Sequence, residues 1–361
     1  MYIKKQNIEP PPISHTKNRF KELDALRGIA ALMVVFFHFT YTRPQAAYGF
    51  FLGSTGVDLF FIISGFVIFM SLSKVTSVKQ FVINRFARLF PAFWFCVTLT
   101  ATIQVLALKF NFVHSTTTNI SLLKYLSNLT MAPKYFGYGE VDGSYWTLLV
   151  EMLFYMCIAL LMKFNQIINI VAVGCIFLIL ALANDIAGNI INNWPLQQIQ
   201  FWFPLINHSG LFFAGILLYK INKKEYDKFT LYLLVLFCYI VQIKLYYTNR
   251  HGSGTINFYQ YSTMLTVIFG IFILFVNNKL SFIINNITLF FGKISYSLYL
   301  IHQYIGANII LPGLEKILHL PFSIAIIITL AVIVLMAYFI YKFIEIPGGK
   351  RVKYWFKQHL N

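Results

Sequence analysis

Residues 23–39 read LDALRGIAALMVVFFHF, an apolar run that, once Asp24 is passed, is interrupted only by Arg27 and His38. A bilayer hydrocarbon core about 30 Å thick takes about 20 apolar residues in helical form, and the stretch 24–43 has that length. A charge near the centre of such a helix costs about 2.5 to 3.5 kcal/mol even on the lenient insertion scale, so each one calls for an explanation. Arg27 and His38 are eleven residues apart. At 100° and 1.5 Å per residue that is about 20° past three full turns and about 16 Å along the axis. The two share a face, with Arg27 near one boundary and His38 past the midplane.

Nine further runs of similar character follow, at 55–73, 90–109, 144–162, 167–184, 201–219, 229–247, 261–277, 288–311 and 321–341. The fold expected is therefore all-α, a polytopic integral membrane protein with about ten transmembrane helices. The sixth run is the weakest, since Pro204, Asn207 and His208 interrupt it. Of the 361 residues, 58% are hydrophobic and 18% aromatic, and only 11% are charged, against about 25% in a soluble domain. The net charge of +17 suits nucleic acid in sign, but the apolar runs leave too little soluble chain for a hydrated basic face, so nucleic acid is not an expected partner. Cys96, Cys157, Cys175 and Cys238 stand singly in apolar stretches, with neither a CxxC pair nor a nearby His at ligand spacing, and read as small hydrophobes rather than a metal site.

Lys and Arg concentrate in cytoplasmic loops. With the ten runs as spans, 21 of them fall on the side of the termini and 7 on the other, so both termini are expected in the cytoplasm. The division is an N-terminal segment 1–23, expected to stay uncleaved, a transmembrane domain 24–345, and a basic cytoplasmic tail 346–361.

Other polar residues stand where lipid would forbid them. GSTGVDLFFIISGF carries Asp58, and GSYWTLLVEMLFY carries Trp146, Glu151 and Tyr155. GKISYSLYLIHQYI puts Ser295, Tyr299 and His302 on one stripe. Counted at 1.5 Å per residue, His38, Asp58, Glu151 and His302 lie about 21, 25, 20 and 16 Å above the inner boundary. Below them, KQFVINRFARLFPAF places Arg85 and Arg88 one turn apart before Pro91, making with Arg27 a cytoplasmic basic pocket suited to bidentate phosphate binding. Each has a plain alternative: snorkelling or topogenic arginines, a helix-start aspartate, an interhelical ion pair, a structural histidine. Together, phosphates below and proton handling above point to a phosphorylated cytoplasmic donor and an acceptor reached from outside. His38 suits a general base near neutral pH, with Glu151 orienting its ring. Tyr125, Tyr135, Phe136, Tyr138, Tyr145 and Trp146 offer flat faces for sugar rings, or an interfacial aromatic belt.

At these residues the sequence resembles the membrane acyltransferase 3 family, bacterial proteins that O-acylate surface carbohydrates. The resemblance is carried by Arg27 and His38 at the family's spacing, by Gly56 to Phe66, by Arg85 and Arg88 with Pro91, by Trp146, Leu148, Glu151, Phe154 and Tyr155, and by Ser295, Tyr296, Leu298, Tyr299, Leu300 and His302. It implies an acyl-CoA donor, most often acetyl-CoA, and a catalytic role for Arg27 and His38. With it, the donor phosphates are expected on Arg27, Arg85 and Arg88, a carbohydrate or glycolipid acceptor near Trp146, Asp58, Tyr299 and His302, and the protein in a bacterial inner membrane. Many relatives carry a C-terminal hydrolase-like domain; this chain is expected either to deliver the acyl group itself or to pass it to a separate periplasmic protein. The rival reading, a transporter or flippase of a lipid-linked sugar, suits ten spans with buried charge. Against it stand the lack of an internal repeat and an arginine pair at the inner face rather than the midplane.

Overall fold

The computed structural model describes residues 20–41, 43–110, 112, 120–190, 194–224, 227–246 and 256–359; of the expected N-terminal segment, 1–19 lie outside the described residues. Among the described residues every regular element is helical. The helices are α1 Lys21–Thr40, α2 Gly56–Leu72, α3 Val78–Lys109, α4 Leu122–Asn128, α5 Trp146–Lys163, α6 Ile170–Ile190, α7 Trp194–Trp202, α8 Ser209–Lys223, α9 Lys228–Lys244, α10 Phe258–Val276, α11 Asn286–Ile301, α12 Leu311–Lys316, α13 Phe322–Ile340 and α14 Ile346–His359. Among the described residues, seven helical segments are long and apolar enough to cross a membrane: Lys21–Thr40, Phe50–Leu72, Val78–Lys109, Gly143–Lys163, Ile167–Ala187, Phe258–Val276 and Phe322–His359.

The other three expected spans are helical but built differently. The sixth is broken: α7 stops at Trp202, a 3₁₀ turn runs Pro204–His208, and α8 follows. Proline lacks the N–H that an uninterrupted helix needs, which explains the break. Ser209 to Ile221 of α8 are all buried, so this 15-residue helix is the centre of the bundle rather than a lipid-facing wall. The seventh, α9, has 17 residues. The ninth is α11 continued by a π-helical segment, His302–Ile310, and then α12.

Two boundaries move. Span three starts at Val78 rather than near Pro91, with Ser77 accepting from Gln80 N at 3.2 Å as its cap, so the residues read as a loop from Lys79 to Arg88 are helical. Residues 346–359, read as a tail, form α14, joined to α13 through a π turn at Tyr341–Glu345.

Close crossings set the arrangement. A Cβ on Gly28 of α1 would lie 2.6 Å from the Thr288 carbonyl oxygen of α11, and one on Gly292 of α11 would collide with the Asp24 carbonyl oxygen of α1. Likewise a Cβ on Gly65 of α2 would strike the Phe212 carbonyl oxygen of α8, and one on Gly215 would strike Ile62. Small residues let membrane helices approach to backbone contact, where dispersion replaces the missing hydrophobic drive. Overpacking such a contact costs about 1 to 3 kcal/mol. Gly292→Ala and Gly215→Ala should therefore lower the thermal unfolding midpoint in detergent. Gly270→Ala, on α10 with nothing within 4 Å of its added methyl, should leave the midpoint unchanged or raise it.

Candidate active site

A cavity of about 70 Å³ opens between α1, α2, α3, α5 and α11. Its polar wall comprises Arg27, Ser64, Arg88, Glu151, Tyr155 and Tyr299, with Thr147, Ser295 and Tyr296. Ser64 Oγ donates to Glu151 Oε1 at 3.0 Å, and the Tyr155 hydroxyl donates to the same oxygen one helical turn away. Glu345, where α13 bends into α14, accepts from Ser297 Oγ at 2.6 Å. Both carboxylates act electrostatically on Arg27 and Arg88. Two negative groups against two guanidiniums make burial of the set tolerable, since isolated buried charge costs several kcal/mol. Neither guanidinium comes within 4 Å of a carboxylate among the described residues, so both forks remain uncommitted on the cavity wall.

Farther along α1 and α11 stands a histidine pair. His302 Nε2 is 3.0 Å from His38 Nδ1, with ring centroids 4.9 Å apart. The hydrogen-bond network assigns the protons. His302 Nδ1 lies 2.6 Å from the Tyr299 carbonyl oxygen and must donate to it, which leaves Nε2 of the neutral ring as an acceptor. His38 Nδ1 faces that acceptor and also the Val34 carbonyl oxygen at 3.0 Å, so it too carries its proton. The remaining nitrogen, His38 Nε2, is then the basic one. His302 is fully buried whereas His38 is half-buried, so the nitrogen left to accept a proton is on the more exposed ring.

The π segment supplies this geometry. A π turn frees carbonyls from the i→i+4 ladder and is frequent at functional sites. Here Tyr299 O takes His302 Nδ1, and Leu300 O takes the Tyr145 hydroxyl at 2.9 Å. Asp142 caps the start of α5's lead-in through Ser144 N at 2.9 Å and also accepts from Tyr304 N at 2.9 Å. Tyr299 OH bridges to Thr147 Oγ1 at 2.9 Å and donates to Ser144 O at 3.1 Å.

The structure thus gathers Arg27, Arg88, Glu151 and Tyr299 about one cavity and His38 with His302 beyond Tyr299, whose ring is 5.2 Å from that of His302. It does not pair Glu151 with His38. The depth count fails because Asp142, Ser144 and Tyr145 are already buried: α5 enters the bundle early, and Glu151 lies deeper than a span starting at the rim would put it. Arg85 does not join Arg88. Three residues is 300° of helix, 60° short of a full turn, and that offset carries Arg85 past Tyr155 into a neighbouring groove, over the rings of Phe81 and Tyr155 at 5.7 and 5.9 Å. Asp58, 1% exposed in the first turn of α2, is not a cavity-lining residue. Trp146, 40% exposed, stands beside His208 with centroids 5.6 Å apart and away from the cavity. Of the outer aromatics, Tyr145 is spent on Leu300 O, Tyr135 stacks on Trp202, and Tyr125 bonds Thr98. Glu345 escaped the sequence reading; its signal is a lone acid among the five basic residues from 342 to 357.

Fold and site define a multi-pass membrane protein with a cation-lined polar cavity and, on the far side of Tyr299, a pair of imidazoles. The chain belongs to the acyltransferase 3 family: the family profile, an acyltransferase domain, matches residues 20–341. It is 24% identical over 304 residues to a protein named "Putative acetyltransferase" in Acidianus two-tailed virus, covering 80% of this chain and 85% of that one. It is 31% identical over 145 residues to a "Putative O-acetyltransferase" of Staphylococcus aureus (strain COL), covering 37% of this chain and 23% of that protein. A "Putative membrane-bound transacylase" of Komagataeibacter xylinus is 32% identical over 157 residues, 39% of this chain and 37% of that protein. No solved structure matches the chain. The protein is an acyltransferase.

An unsatisfied buried donor costs about 1 to 3 kcal/mol. Asp142→Asn, whose amide nitrogen cannot accept from Tyr304 N, should destabilise the protein by about that amount, read as a lower unfolding midpoint.

Proposed function

We propose that this acyltransferase moves an acyl group, in the first instance acetyl, from cytoplasmic acyl-CoA to a hydroxyl of a surface or lipid-linked carbohydrate, in a bacterial inner membrane. The observation that carries the reading is the His38–His302 pair, which leaves one lone-pair nitrogen on an accessible ring beyond a cavity lined by free guanidiniums. Arg27 and Arg88 hold donor phosphates, a role that suits their planar forks. The 16 Å or so along α1 from Arg27 to His38 is a distance that a pantetheine arm bridges, bringing the thioester to the imidazole.

The acceptor oxygen attacks the thioester carbonyl carbon while its proton passes to His38 Nε2. The C–S bond breaks, the ester forms, and the departing thiolate takes the proton back from the imidazolium. His302 acts as the positioning residue, fixing the His38 tautomer through Nδ1, the part first assigned to Glu151. Glu151 and Glu345 instead hold Arg27 and Arg88 in place. Trp146 and Asp58, at the outer end of their helices, would then act only on the approach of the acceptor, and a separate periplasmic carrier could take the acyl group in its stead.

The basic bias of 21 to 7 across the ten spans read from the sequence supports both termini in the cytoplasm. A cysteine at Phe136, 58% exposed, should label from outside and one at Lys223 only after permeabilisation, in a background with Cys157 and Cys175 changed to Ala. Labelling of position 136 from the cytoplasm alone would overturn the mechanism.

Loss of a general base costs about 10² to 10⁴ in rate. His38→Ala should abolish detectable single-turnover acyl transfer in membranes while CoA binding persists; His302→Ala should cost less, because an orienting partner is lost and not the base. Near-normal transfer by His38→Ala sinks the assignment.

Arg88→Lys keeps the charge and loses the bidentate fork, so CoA affinity measured on purified protein should fall, and fall further in Arg27→Ala/Arg88→Ala. Unchanged affinity in the double variant would return both arginines to a topogenic role.

A further inference from the structure

The groove that takes Arg85 has a volume of about 420 Å³, within the 300 to 1,000 Å³ or so usual for ligand sites. It runs between α3 and α5, walled by Phe81, Phe86, Phe90, Met152 and Tyr155, and Arg85 is its only charged lining residue. Thr130, Met131, Ala132 and Tyr135 line one end, held at the level of Trp94 by the bond from Trp94 Nε1 to Leu129 O at 2.9 Å. Arg85 marks the other end, nine residues back along α3, or about 14 Å. One leaflet contributes about 15 Å of the 30 Å hydrocarbon core. Val82 and Met156 on the rim are each 49% exposed, so the groove opens outward, where a membrane helix meets lipid.

Arg85 Nη2 donates weakly to Ser71 Oγ at 3.4 Å, while Nε and Nη1, both buried, have no hydrogen-bond partner among the described residues. The surface beside that end is cationic. Phe356 of α14 packs on Phe86 with centroids 6.3 Å apart, and α14 carries Lys350, Arg351, Lys353 and Lys357 together with the exposed Tyr354 and Trp355. A basic helix with aromatic side chains at that level is suited to anionic headgroups.

We infer that this groove binds one acyl chain of an anionic glycerophospholipid of the surrounding leaflet, with its phosphate on the Arg85 guanidinium and its headgroup against α14. A phospholipid fits because Arg85, beside the basic α14, lies about one leaflet's depth along α3 from the level of Trp94, a depth that a polyprenyl chain would overrun. The site is separate from the donor cavity, sharing with it only Tyr155.

Native mass spectrometry of the purified full chain tests this, with phosphatidylglycerol and phosphatidylcholine of identical acyl chains. Wild-type protein should retain phosphatidylglycerol about fivefold to tenfold over phosphatidylcholine, and Arg85→Gln should bring that ratio near one. Ala159→Phe, which narrows the groove and alters no charge, should lower retention of both lipids and guards against misfolding of the first variant. Equal retention of the two lipids by wild-type protein, a preference that survives Arg85→Gln, wild-type retention by Ala159→Phe, or displacement of phosphatidylglycerol by an equal concentration of polyprenyl phosphate would each overturn the proposal.

Discussion

The backbone-to-backbone crossing of α1 on α11 is the contact on which the rest depends. With Gly28 and Gly292 face to face, Arg27 and His38 on one helix are held against Ser295, Tyr299 and His302 on the other, and neither helix can slide without driving a carbonyl into its neighbour. Lipid tails give no hydrophobic reason for two apolar helices to associate, so this crossing rests on dispersion and on the polar contacts that it permits. The 3.0 Å imidazole contact is one of those. The second glycine crossing, Gly65 on Gly215, fixes α2 to the buried α8 and so aims Ser64 at Glu151.

Electrostatics then determines what occupies the space so enclosed. In a bundle this apolar, Arg27 and Arg88 persist because Glu151 and Glu345 act on them at a distance, and the carboxylates persist because hydroxyls of Ser64, Tyr155 and Ser297 bond them. Spacing the charges rather than pairing them keeps the guanidinium forks available, which closed ion pairs would not. The half-buried pair of Arg43 and Glu315, joined at 2.6 Å, shows the closed alternative in the same molecule.

Much of this was legible in the sequence and some was not, for identifiable reasons. Apolar runs and punctuating polar residues gave the all-helical membrane class, and an eleven-residue spacing put Arg27 and His38 on one face, because helix phase is local information. Pairings between helices are not local. Glu151 was expected beside His38 because both counted to similar depths, yet a depth count assumes that each span starts at the rim, and the buried lead-in at Asp142 to Tyr145 breaks that assumption. Arg85 and Arg88 were expected together because they are one turn apart; a 60° difference in direction was enough for Tyr155 to part them. Glu345 went unnoticed because a π turn carries the helix past the expected end of the last span.

The π segment at His302–Ile310 has a consequence for how the chain can change. Such a segment is an α-helix holding surplus length, so it behaves as a register device: everything beyond it is rotated by about 100° per added residue relative to an unbroken helix. Losing one residue there would heal the helix, return the Tyr299 and Leu300 carbonyls to the ladder, and turn the outer half away from Asp142. Insertions and deletions elsewhere in the outer loops would leave the imidazoles in place. Length, and not only side-chain identity, is therefore constrained in this short stretch.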